Sequence, residues 1–322
     1  MNARVPSGLT IGVVMDPIAA IHIEKDTTIA LLAAAQARGH ALRYMELPDL
    51  FLRAGHAFAR MRALRVNIAA RPWFELGVEE IAPLAACGAI LMRKDPPFDL
   101  DFLHATFVLE AAEADGALVA NRAASLRDCN EKLFGLKFPD LIPPTLVAAA
   151  PQRLREFLGE HADIVVKPLD LMGGQGVFRL RAGDPNIAVI LETSTARGTR
   201  LVMAQRFLPE IAAGDKRILM VDGEPVPYCL ARIPRDGDFR GNLAAGGRGV
   251  GQPLSARDRD IAHAVGPELK RRGILFAGLD VIGDWLTEIN ITSPTCVREL
   301  DKAFGLDIGA SVIAAVEARL HT

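Results

Sequence analysis

The first 120 residues alternate short apolar runs with longer segments of helical period. LTIGVVMDP predicts a buried strand of β-branched residues, and a helical pattern follows from about Lys25 to Arg38 and stops at Gly39. ALRYMEL, CGAILMR and ALVAN predict further strands, and LDFLHATFVLEAAEADG predicts a second helix. Strands that alternate with helices favour a parallel sheet with helices on both faces. We therefore predict a doubly wound, Rossmann-like domain here.

Beyond about residue 125 the pattern changes to strands joined by short turns. ADIVVKPLDLMGGQGVFRL predicts strand, glycine loop and strand, and TRLVMAQRFLP a further strand. DKRILMVDGEPVPYCLARIP and ILFAGLDVIGDWLTEINIT predict hairpins that turn at Asp222-Gly223 and Gly283-Asp284. SARDRDIAHAVGPELKRRG and the C-terminal DIGASVIAAVEARLHT predict helices, whereas RGNLAAGGRGVG predicts a mobile loop. This mixture indicates an α+β arrangement.

The strand WLTEIN carries a carboxylate and a carboxamide two positions apart. Successive side chains of a strand point to opposite faces, so Glu288 and Asn290 share one face. One interpretation is an edge strand with a solvated face. The other is a site for a hard cation, because carboxylate and amide oxygens are ligands that magnesium accepts.

A lysine and a glycine loop form a second candidate site. Lys167 ends a β-branched strand just before Gly173, Gly174 and Gly176. Glycines let backbone N–H groups approach a phosphate closely, and the ammonium supplies charge. The alternative is a hairpin turn that merely needs positive φ. The loop is neither a Walker A motif, since no Gly-Lys-Ser/Thr ends it, nor a dinucleotide fingerprint, since strand pattern follows it.

Composition narrows the classes of function. The 322 residues include 37 basic and 39 acidic side chains, and the net charge of -2 gives no general attraction to nucleic acid or membrane. Apolar stretches such as ALLAAAQA are too short to span a bilayer, and the N-terminus is a poor signal peptide. The four cysteines are far apart, which argues against zinc or disulfides. We expect a soluble, cytoplasmic protein.

Six longer strings identify a resemblance: VMDPIA, ILMRKDPPFD, SLRDCNEKLF, DGEPVPYCLARIP, RGNLAAGGRG and LTEINITSPTC. Over nearly its whole length the chain resembles the bacterial glutathione synthetase family of the ATP-grasp superfamily. The resemblance implies a Rossmann-like (pre-ATP-grasp) N-terminal domain at 1–124. It further implies an ATP-grasp fold of two α+β subdomains, a central one at 125–200 with the phosphate loop and a C-terminal one at 201–322 with the hinge strand, lid and metal site.

The implied activity joins γ-glutamylcysteine to glycine through an acyl phosphate, giving glutathione, ADP and phosphate. ATP would be the co-substrate and Mg²⁺ or Mn²⁺ the cofactor. The alternative is another ATP-grasp carboxylate–amine ligase, of the D-alanine–D-alanine or glutamate-tail type, because the nucleotide half is common to all. A non-catalytic nucleotide-binding regulator is disfavoured, since it need not keep Lys167, Glu288, Asn290 and Arg217. Relatives imply a homo-oligomer, with a tetramer as the expected form, and no nucleic-acid or membrane partner.

The resemblance also assigns individual residues. The residues implied to contact the nucleotide are Lys132, Lys167, Gly173, Gly174, Gln205, Arg206, Phe207, Leu208 and Asp215. Those implied to form the positive catalytic lining are Arg217, Arg232 and Arg240. The peptide substrate would be bound by Arg93, Ser293 and Thr295, and the metal by Asp280, Glu288 and Asn290. Ser293 and Thr295 could equally cap the turn at Pro294. Leu171 departs from relatives, which commonly carry glycine there.

Two features of the implied site make structural demands. A lid from about Ile233 to Arg248 would exclude water from the acyl phosphate, unless the segment is only a surface connection. A simple two-residue turn at Gly283-Asp284 would set Asp280 opposite Thr287, facing away from Glu288 and Asn290. We therefore predict an odd-length loop or a bulge near 282–284 that brings Asp280 opposite Leu286.

Overall fold

Three β-sheets follow one another along the chain in the computed structural model, which describes residues 8–243 and 246–321. The strands of these ranges are β1 Thr10–Val14, β2 Ala41–Met45, β3 Leu50–Arg53, β4 His56–Val66, β5 Phe74–Pro83, β6 Ala89–Met92, β7 Leu118–Ala120, β8 Thr145–Ala148, β9 Asp163–Pro168, β10 Phe178–Arg181, β11 Val202–Arg206, β12 Asp215–Val221, β13 Glu224–Ile233, β14 Arg248–Pro253, β15 Phe276–Ile282 and β16 Trp285–Asn290. The helices are α1 Thr27–Ala37, α2 Leu100–Ala114, α3 Ala123–Asp128, α4 Pro151–His161, α5 Ile187–Ser194, α6 Ala256–Arg271, α7 Val297–Phe304 and α8 Ile308–Leu320.

The N-terminal sheet is parallel in one half only. Strands β2, β1, β6 and β7 pair in parallel in that order, as predicted from their alternation with helices. The expectation of an entirely parallel sheet is wrong, because β3, β4 and β5 add an antiparallel half. Strand β4 alternates buried and more exposed positions, with Arg60 and Arg62 paired to Glu79 beside it. Such alternation is typical of an antiparallel strand with one wet face.

The four-stranded and five-stranded sheets are antiparallel throughout. Their orders are β10-β9-β11-β8 and β14-β13-β12-β15-β16. The three predicted hairpins are confirmed. At the β12–β13 turn, Asp222 and Gly223 have φ of 48° and 80°, the left-handed conformation that two-residue hairpins require.

The predicted glycine-rich loop is wrong over its last residues, because Arg248–Pro253 forms β14 and pairs with β13. The glycines of β14 allow neighbouring side chains to pack closely against the strand. A Cβ on Gly249 would lie 3.1 Å from a Leu230 methyl, and one on Gly251 would lie 2.6 Å from the Phe304 ring. The connection between β13 and β14 is therefore 234–247, within which Ala244 and Ala245 lie outside the described residues.

Two of the three sheets contribute to one apolar core, and the four-stranded sheet has a core of its own. Apolar side chains of the N-terminal sheet, such as Met92, belong to the same buried cluster as Leu279 and Leu286 of the five-stranded sheet. The four-stranded sheet has a separate, smaller core in which Ile164 and Val202 pack against helices α4 and α5. The first and third sheets thus form one packed body, with the second sheet set against it.

Candidate active site

A cleft of about 850 Å³, including space open to solvent, is lined by residues of the four-stranded and five-stranded sheets. Most of the predicted site residues line it: Lys132, Lys167, Gly173, Gly174, Gln205, Arg206, Phe207, Leu208, Asp215, Arg240, Asp280 and Glu288. The others, Arg93, Arg217, Arg232, Asn290, Ser293 and Thr295, are not among the described residues that line it. Residues more than 150 positions apart in sequence therefore converge on one concave surface.

One wall of the cleft is the end of β11 and the segment after it. Gln205 Nε2 donates to Thr145 Oγ1 (3.0 Å), and the Phe207 backbone N–H donates to the Asp163 carbonyl (2.9 Å). The Phe207 ring lies under the Arg179 guanidinium, 3.3 Å from its central carbon, and meets the ring of Phe239 edge-on at 6.5 Å. These contacts fix the backbone of MAQRFLP around Gln205–Leu208, which the family resemblance implies is the hinge strand.

The glycine loop and two buried lysines form the floor. Lys132 Nζ donates to the Leu171 carbonyl (2.7 Å), and Lys167 Nζ lies 3.1 Å from Glu288 Oε1. Both lysines are less than 8% exposed. Because Lys132 meets the backbone of residue 171, the departure from glycine at Leu171 does not remove this contact. Asn130 Oδ1 accepts from the Lys132 backbone N–H (3.1 Å) and so orients that lysine, a role that sequence reasoning missed.

The glycines of this loop are required by both conformation and space. Gly173, Gly174 and Gly176 have φ of 65°, 79° and 66°, a region that L side chains rarely adopt. A Cβ on Gly174 would also lie 2.9 Å from Asn242 Oδ1. The segment between β13 and β14 therefore rests directly on the loop, and Arg240 Nη1 donates to the Gly174 carbonyl (3.3 Å).

Two arginine–aspartate pairs lie behind the floor because the strand register sets them opposite each other. Arg217 faces Asp280 across β12 and β15, and Asp215 faces Arg232 across β12 and β13. Arg217 Nε lies 2.5 Å from Asp280 Oδ1, and Arg232 Nη2 lies 2.5 Å from Asp215 Oδ2 and 2.9 Å from Asp280 Oδ2. All four side chains are largely buried. The cluster is therefore neutral overall when both aspartates are ionised.

The pKa values of the two aspartates differ in direction from the ordinary value. Burial alone would raise the pKa of Asp280, but Arg217 and Arg232 together outweigh burial and hold that pKa well below its ordinary value. Burial raises the pKa of Asp215 to about 7, since Arg232 offsets it only in part. Asp215 Oδ1 is buried without a hydrogen-bond partner among the described residues. It is an acceptor that a ligand hydroxyl could satisfy.

The hairpin of β15 and β16 contains the predicted bulge, but at a different place. Ile282 pairs with Trp285 across a regular two-residue turn, and the register shifts one step later, so that Asp280 lies opposite Glu288. The expectation of an irregularity near 282–284 with Asp280 opposite Leu286 is therefore wrong in position. Gly283, at φ 57°, supports the regular turn. The extra residue is Thr287, whose Oγ1 donates to the Asp280 carbonyl (3.1 Å).

This register gives an oxygen donor set that fits a hard divalent cation. Asp280 and Glu288 are cross-strand neighbours, and Asn290 shares the face of Glu288. Asn290 Nδ2 donates to the Gly278 carbonyl (3.2 Å), a bond that does not use the amide oxygen. Burial would raise the pKa of Glu288, but Lys132 and Lys167 lower it below its ordinary value. The part of the chain that the structure describes contains no cluster of three His, Cys, Asp or Glu side chains suited to a metal.

The three residues predicted for the peptide substrate lie at the boundary with the N-terminal sheet. Arg93 is 5% exposed and donates to Thr28 Oγ1 (3.2 Å) and the Pro294 carbonyl (3.0 Å); burial lowers its pKa. Ser293 Oγ donates to the Arg93 carbonyl (3.4 Å). Thr295 Oγ1 lies 3.8 Å from Cys296 Sγ. The structure thus brings Arg93 to the Ser293–Thr295 loop, where its guanidinium binds protein atoms.

Comparisons with known proteins agree on one family. Residues 9–127 match the family described as prokaryotic glutathione synthetase, N-terminal domain, and residues 131–305 match prokaryotic glutathione synthetase, ATP-grasp domain. A glutathione synthetase of Pseudomonas putida is 60% identical over 96% of this chain and 98% of its own length. That of Escherichia coli O127:H6 is 55% identical over 97% and 99%.

Solved structures support the fold. A D-cycloserine synthetase superposes with a TM-score of 0.68 at 16% identity, covering 96% of this chain and 99% of that one. An ATP-grasp ligase solved with a minimal precursor, Mg and ADP gives a TM-score of 0.61 at 17% identity, covering 97% and 98%. The implied N-terminal domain followed by an ATP-grasp fold is thereby confirmed.

Proposed function

The chain belongs to the prokaryotic glutathione synthetase family, and from this membership we propose how its cleft carries out ATP-dependent glutathione synthesis. The family match extends over the N-terminal domain as well as the nucleotide half. Other ATP-grasp ligases share the fold over nearly the whole chain, but at only 16–17% identity. The family match and the 60% identical relative therefore favour glutathione synthesis over the reactions of those ligases. The observation that carries the residue roles is the convergence of two buried lysines, a glycine loop and oxygen donors in one cleft.

ATP would lie between the two sheets. Lys132, Lys167 and the N–H groups of the glycine loop would meet its phosphates, because ammonium groups and inward-facing amides complement anionic oxygens. The backbone of Gln205–Leu208 would contact the adenine ring. Asp215 Oδ1, for which the described residues 8–243 and 246–321 offer no hydrogen-bond partner, would accept a hydrogen bond from a ribose hydroxyl.

The reaction requires two displacements. A carboxylate oxygen of γ-glutamylcysteine attacks the γ-phosphorus and the bond to ADP breaks, giving an acyl phosphate. The glycine ammonium loses a proton, and the amine then attacks the acyl carbon. Inorganic phosphate leaves with the C–O bonding pair, and the nitrogen gives up a second proton to the departing phosphate, which leaves the amide. Activation is necessary because an unmodified carboxylate oxygen is a very poor leaving group. The protein contributes alignment and neutralisation of spreading charge.

Three arginines would supply that neutralisation from different depths. Arg240 lines the cleft and is placed to reach a transferred phosphoryl group. Arg217 and Arg232 are held behind it by Asp280 and Asp215, so they would act over a longer distance unless a substrate carboxylate draws them forward. Arg93, Ser293 and Thr295 would bind the γ-glutamyl end of the peptide.

A divalent cation, Mg²⁺ or Mn²⁺, fits the donor set of Asp280, Glu288 and Asn290. When bound, it would supply positive charge to the phosphate oxygens. Glu288 would exchange its present contact with Lys167 for the cation, which would free the Lys167 ammonium for phosphate.

Omission of single substrates tests the proposed function. The protein is incubated with MgATP, γ-glutamylcysteine and glycine, and phosphate release is measured with each component left out in turn. We expect release to require all three and to fall strongly in Glu288→Gln. Release supported by D-alanine or another amino acid, and not by this pair, would overturn the substrate assignment.

The organisation of the whole protein is also proposed from the family. We infer domains at 1–124, 125–200 and 201–322, a homo-oligomer with a tetramer as its expected form, and a cytoplasmic location. The hinge strand β11 pairs with β8 and β9 and so completes the sheet of the second domain, and the segment after it would link the second and third domains. In the described part of the chain, no helix is both long and apolar enough to cross a membrane. Sedimentation velocity of the purified protein tests the oligomer.

A further inference from the structure

A buried asparagine of the N-terminal sheet joins two distant segments of the five-stranded sheet. Asn121 Nδ2 donates to the carbonyls of Phe276 (2.7 Å) and Ile291 (2.6 Å), and its Oδ1 accepts from the N–H groups of Leu275 (2.7 Å) and Phe276 (2.8 Å). A carboxamide has two donors and two acceptor lone pairs, and all four are used. One side chain therefore ties the start of β15 to the residue that follows β16.

A glutamate beside the nucleotide lysine holds the same region from outside. Glu131 Oε1 accepts from the N–H groups of Ile291 (2.9 Å) and Thr292 (3.0 Å) and from Thr292 Oγ1 (2.7 Å). Its backbone carbonyl accepts from the Ile289 N–H (2.9 Å). Glu131, immediately before Lys132, therefore contacts β16 at Ile289 and the residues after it at Ile291 and Thr292.

These contacts matter because β16 is an edge strand. Among the strands that the structure describes, it ends the order β14-β13-β12-β15-β16, so its outer N–H groups face no neighbouring strand there. The Leu141 carbonyl accepts from Leu286 (2.8 Å), and Glu131 accepts from Ile289 and Ile291. Ile289 and Ile291, whose N–H groups bond to Glu131, alternate with Glu288 and Asn290 along the chain. Fixing their backbone thus fixes where the two oxygen donors point.

We propose that Glu131 is a positioning residue that sets the affinity of the Glu288–Asn290 pair for a divalent cation, in a region that Asn121 holds together from the other side. The inference rests on the proposed function, which places the cation there. Magnesium requires nearly ideal octahedral geometry, so small displacements of its ligands weaken binding. Partners that orient metal ligands from outside typically change metal affinity 10- to 100-fold when they are lost. A purely structural role would instead lower stability and leave the affinity of the folded protein unchanged.

The test measures Mn²⁺ binding by electron paramagnetic resonance of the free ion, with ADP present, alongside urea unfolding without ligands. We expect Glu131→Ala to weaken Mn²⁺ binding at least tenfold and to raise the Mg²⁺ concentration needed for half-maximal activity. Glu131→Gln, which keeps the accepting oxygen, should recover most of the loss. The matched control is Glu113→Ala: Glu113 is also a half-buried carboxylate that accepts a backbone N–H, from Ala123 (3.1 Å), but it lies on α2 away from β16.

The outcomes separate the two proposals. If wild-type protein with ADP binds no Mn²⁺, the metal site of the proposed function fails. If wild type binds and Glu131→Ala binds equally well while losing stability as Glu113→Ala does, the positioning role is overturned. Should Glu131→Ala not fold, Thr292→Val removes one of the three bonds to Glu131 at nearly constant volume. We expect it to weaken Mn²⁺ binding several-fold, and an unchanged affinity would equally overturn the inference.

Discussion

At the scale of single residues, the site depends on which side chains the strand register sets opposite each other. Asp215, Arg217, Arg232 and Asp280 would be costly to bury singly, because an isolated charge loses its hydration. As cross-strand pairs they compensate one another, and Asp215 retains one oxygen for a ligand. Lys167 and Glu288 repeat the arrangement nearer the cleft. The charges proposed for catalysis are thus held in ion pairs, which we expect bound substrates to rearrange.

The charge of Lys167 gives the first prediction. We expect Lys167→Met, which keeps the aliphatic stem, to weaken binding of MgATP roughly 10- to 100-fold, since a hydrogen bond to a charged group is worth about 1.5–3 kcal/mol. Isothermal titration calorimetry measures the change. Lys137→Met is the matched control, because Lys137 is half-exposed and pairs with Glu268, outside the cleft lining. Equal affinity of Lys167→Met and wild type would remove Lys167 from the phosphate site.

Local rules allow some residues of the site to be predicted and not others. Glu288 and Asn290 share a face by strand parity, which two positions of sequence suffice to show. The bulge at Thr287 has no marker, because Gly283-Asp284 is compatible with a regular turn. Asn121 and Glu131 escape sequence reasoning altogether, since their partners lie about 155 to 170 positions away. A buried hydrogen-bonding partner that distant leaves no periodic signal.

At the scale of elements, predictions are confirmed where the turn itself contains residues that favour its backbone conformation. The hairpins at Asp222-Gly223 and at the glycine loop follow from residues that adopt positive φ. Strand β14 contains three residues without strand preference, Gly249, Gly251 and Pro253, and forms because its glycines admit Leu230 and Phe304. Tertiary packing there overrides local propensity, so the sequence alone indicates a loop.

The contact between helices α1 and α8 gives a prediction about pH. Glu317 of α8 binds Arg38, at the end of α1, and His40, whose Nε2 lies 2.7 Å from Glu317 Oε1. Its bond to Arg38 holds the pKa of Glu317 below the ordinary 4.5. A lowered carboxyl pKa stabilises the fold above that ordinary value, and the contribution is lost as pH falls through the folded-state pKa. Glu317→Gln should therefore destabilise the protein most at neutral pH.

Urea unfolding at pH 7 and near pH 3.5 measures the difference. We expect Glu317→Gln to lower the free energy of unfolding by about 1–3 kcal/mol at pH 7, and by clearly less in acid. Glu160→Gln is the control, because Glu160 lies on the exposed face of α4. A deficit that is the same at both pH values would show that Glu317 acts through packing and not through its charge.

At the scale of the whole molecule, the chain forms one large body and one smaller body with the cleft between them. Helix α8, near the C-terminus, packs on α1 of the N-terminal domain, and apolar side chains of the first and third sheets belong to one core. The four-stranded sheet has its own, smaller core, separate from the core that the other two sheets share. The order of an N-terminal domain followed by two ATP-grasp subdomains is implied by the family resemblance. Hydrophobic periodicity predicts the helices and strands but does not indicate which sheets share a core.

The segment 234–243 bridges the two bodies. Arg240 meets the Gly174 carbonyl of the smaller body, and Phe239 meets Phe207 of the hinge. Asp238 binds the Arg240 guanidinium at 2.8 Å and orients it. The segment follows β13 of the larger body and contacts the smaller body through Arg240, so we expect it to be able to close over the cleft.

Limited trypsin digestion tests whether this segment is the lid. The Arg235 side chain is 63% exposed, so we expect cleavage after it in ligand-free protein. MgATP with γ-glutamylcysteine should slow that cleavage at least tenfold, because the segment would then shield the acyl phosphate from water. The Arg235→Gln variant should lack the cut, which identifies the site by mass spectrometry.

In Phe239→Ala the protection should weaken about 2- to 10-fold, since an aromatic pair contributes about 0.5–1.5 kcal/mol. The same variant should release more phosphate per glutathione formed, because a less firmly closed segment admits water. Equal cleavage with and without ligands would leave residues 234–243 as a connection and not a lid.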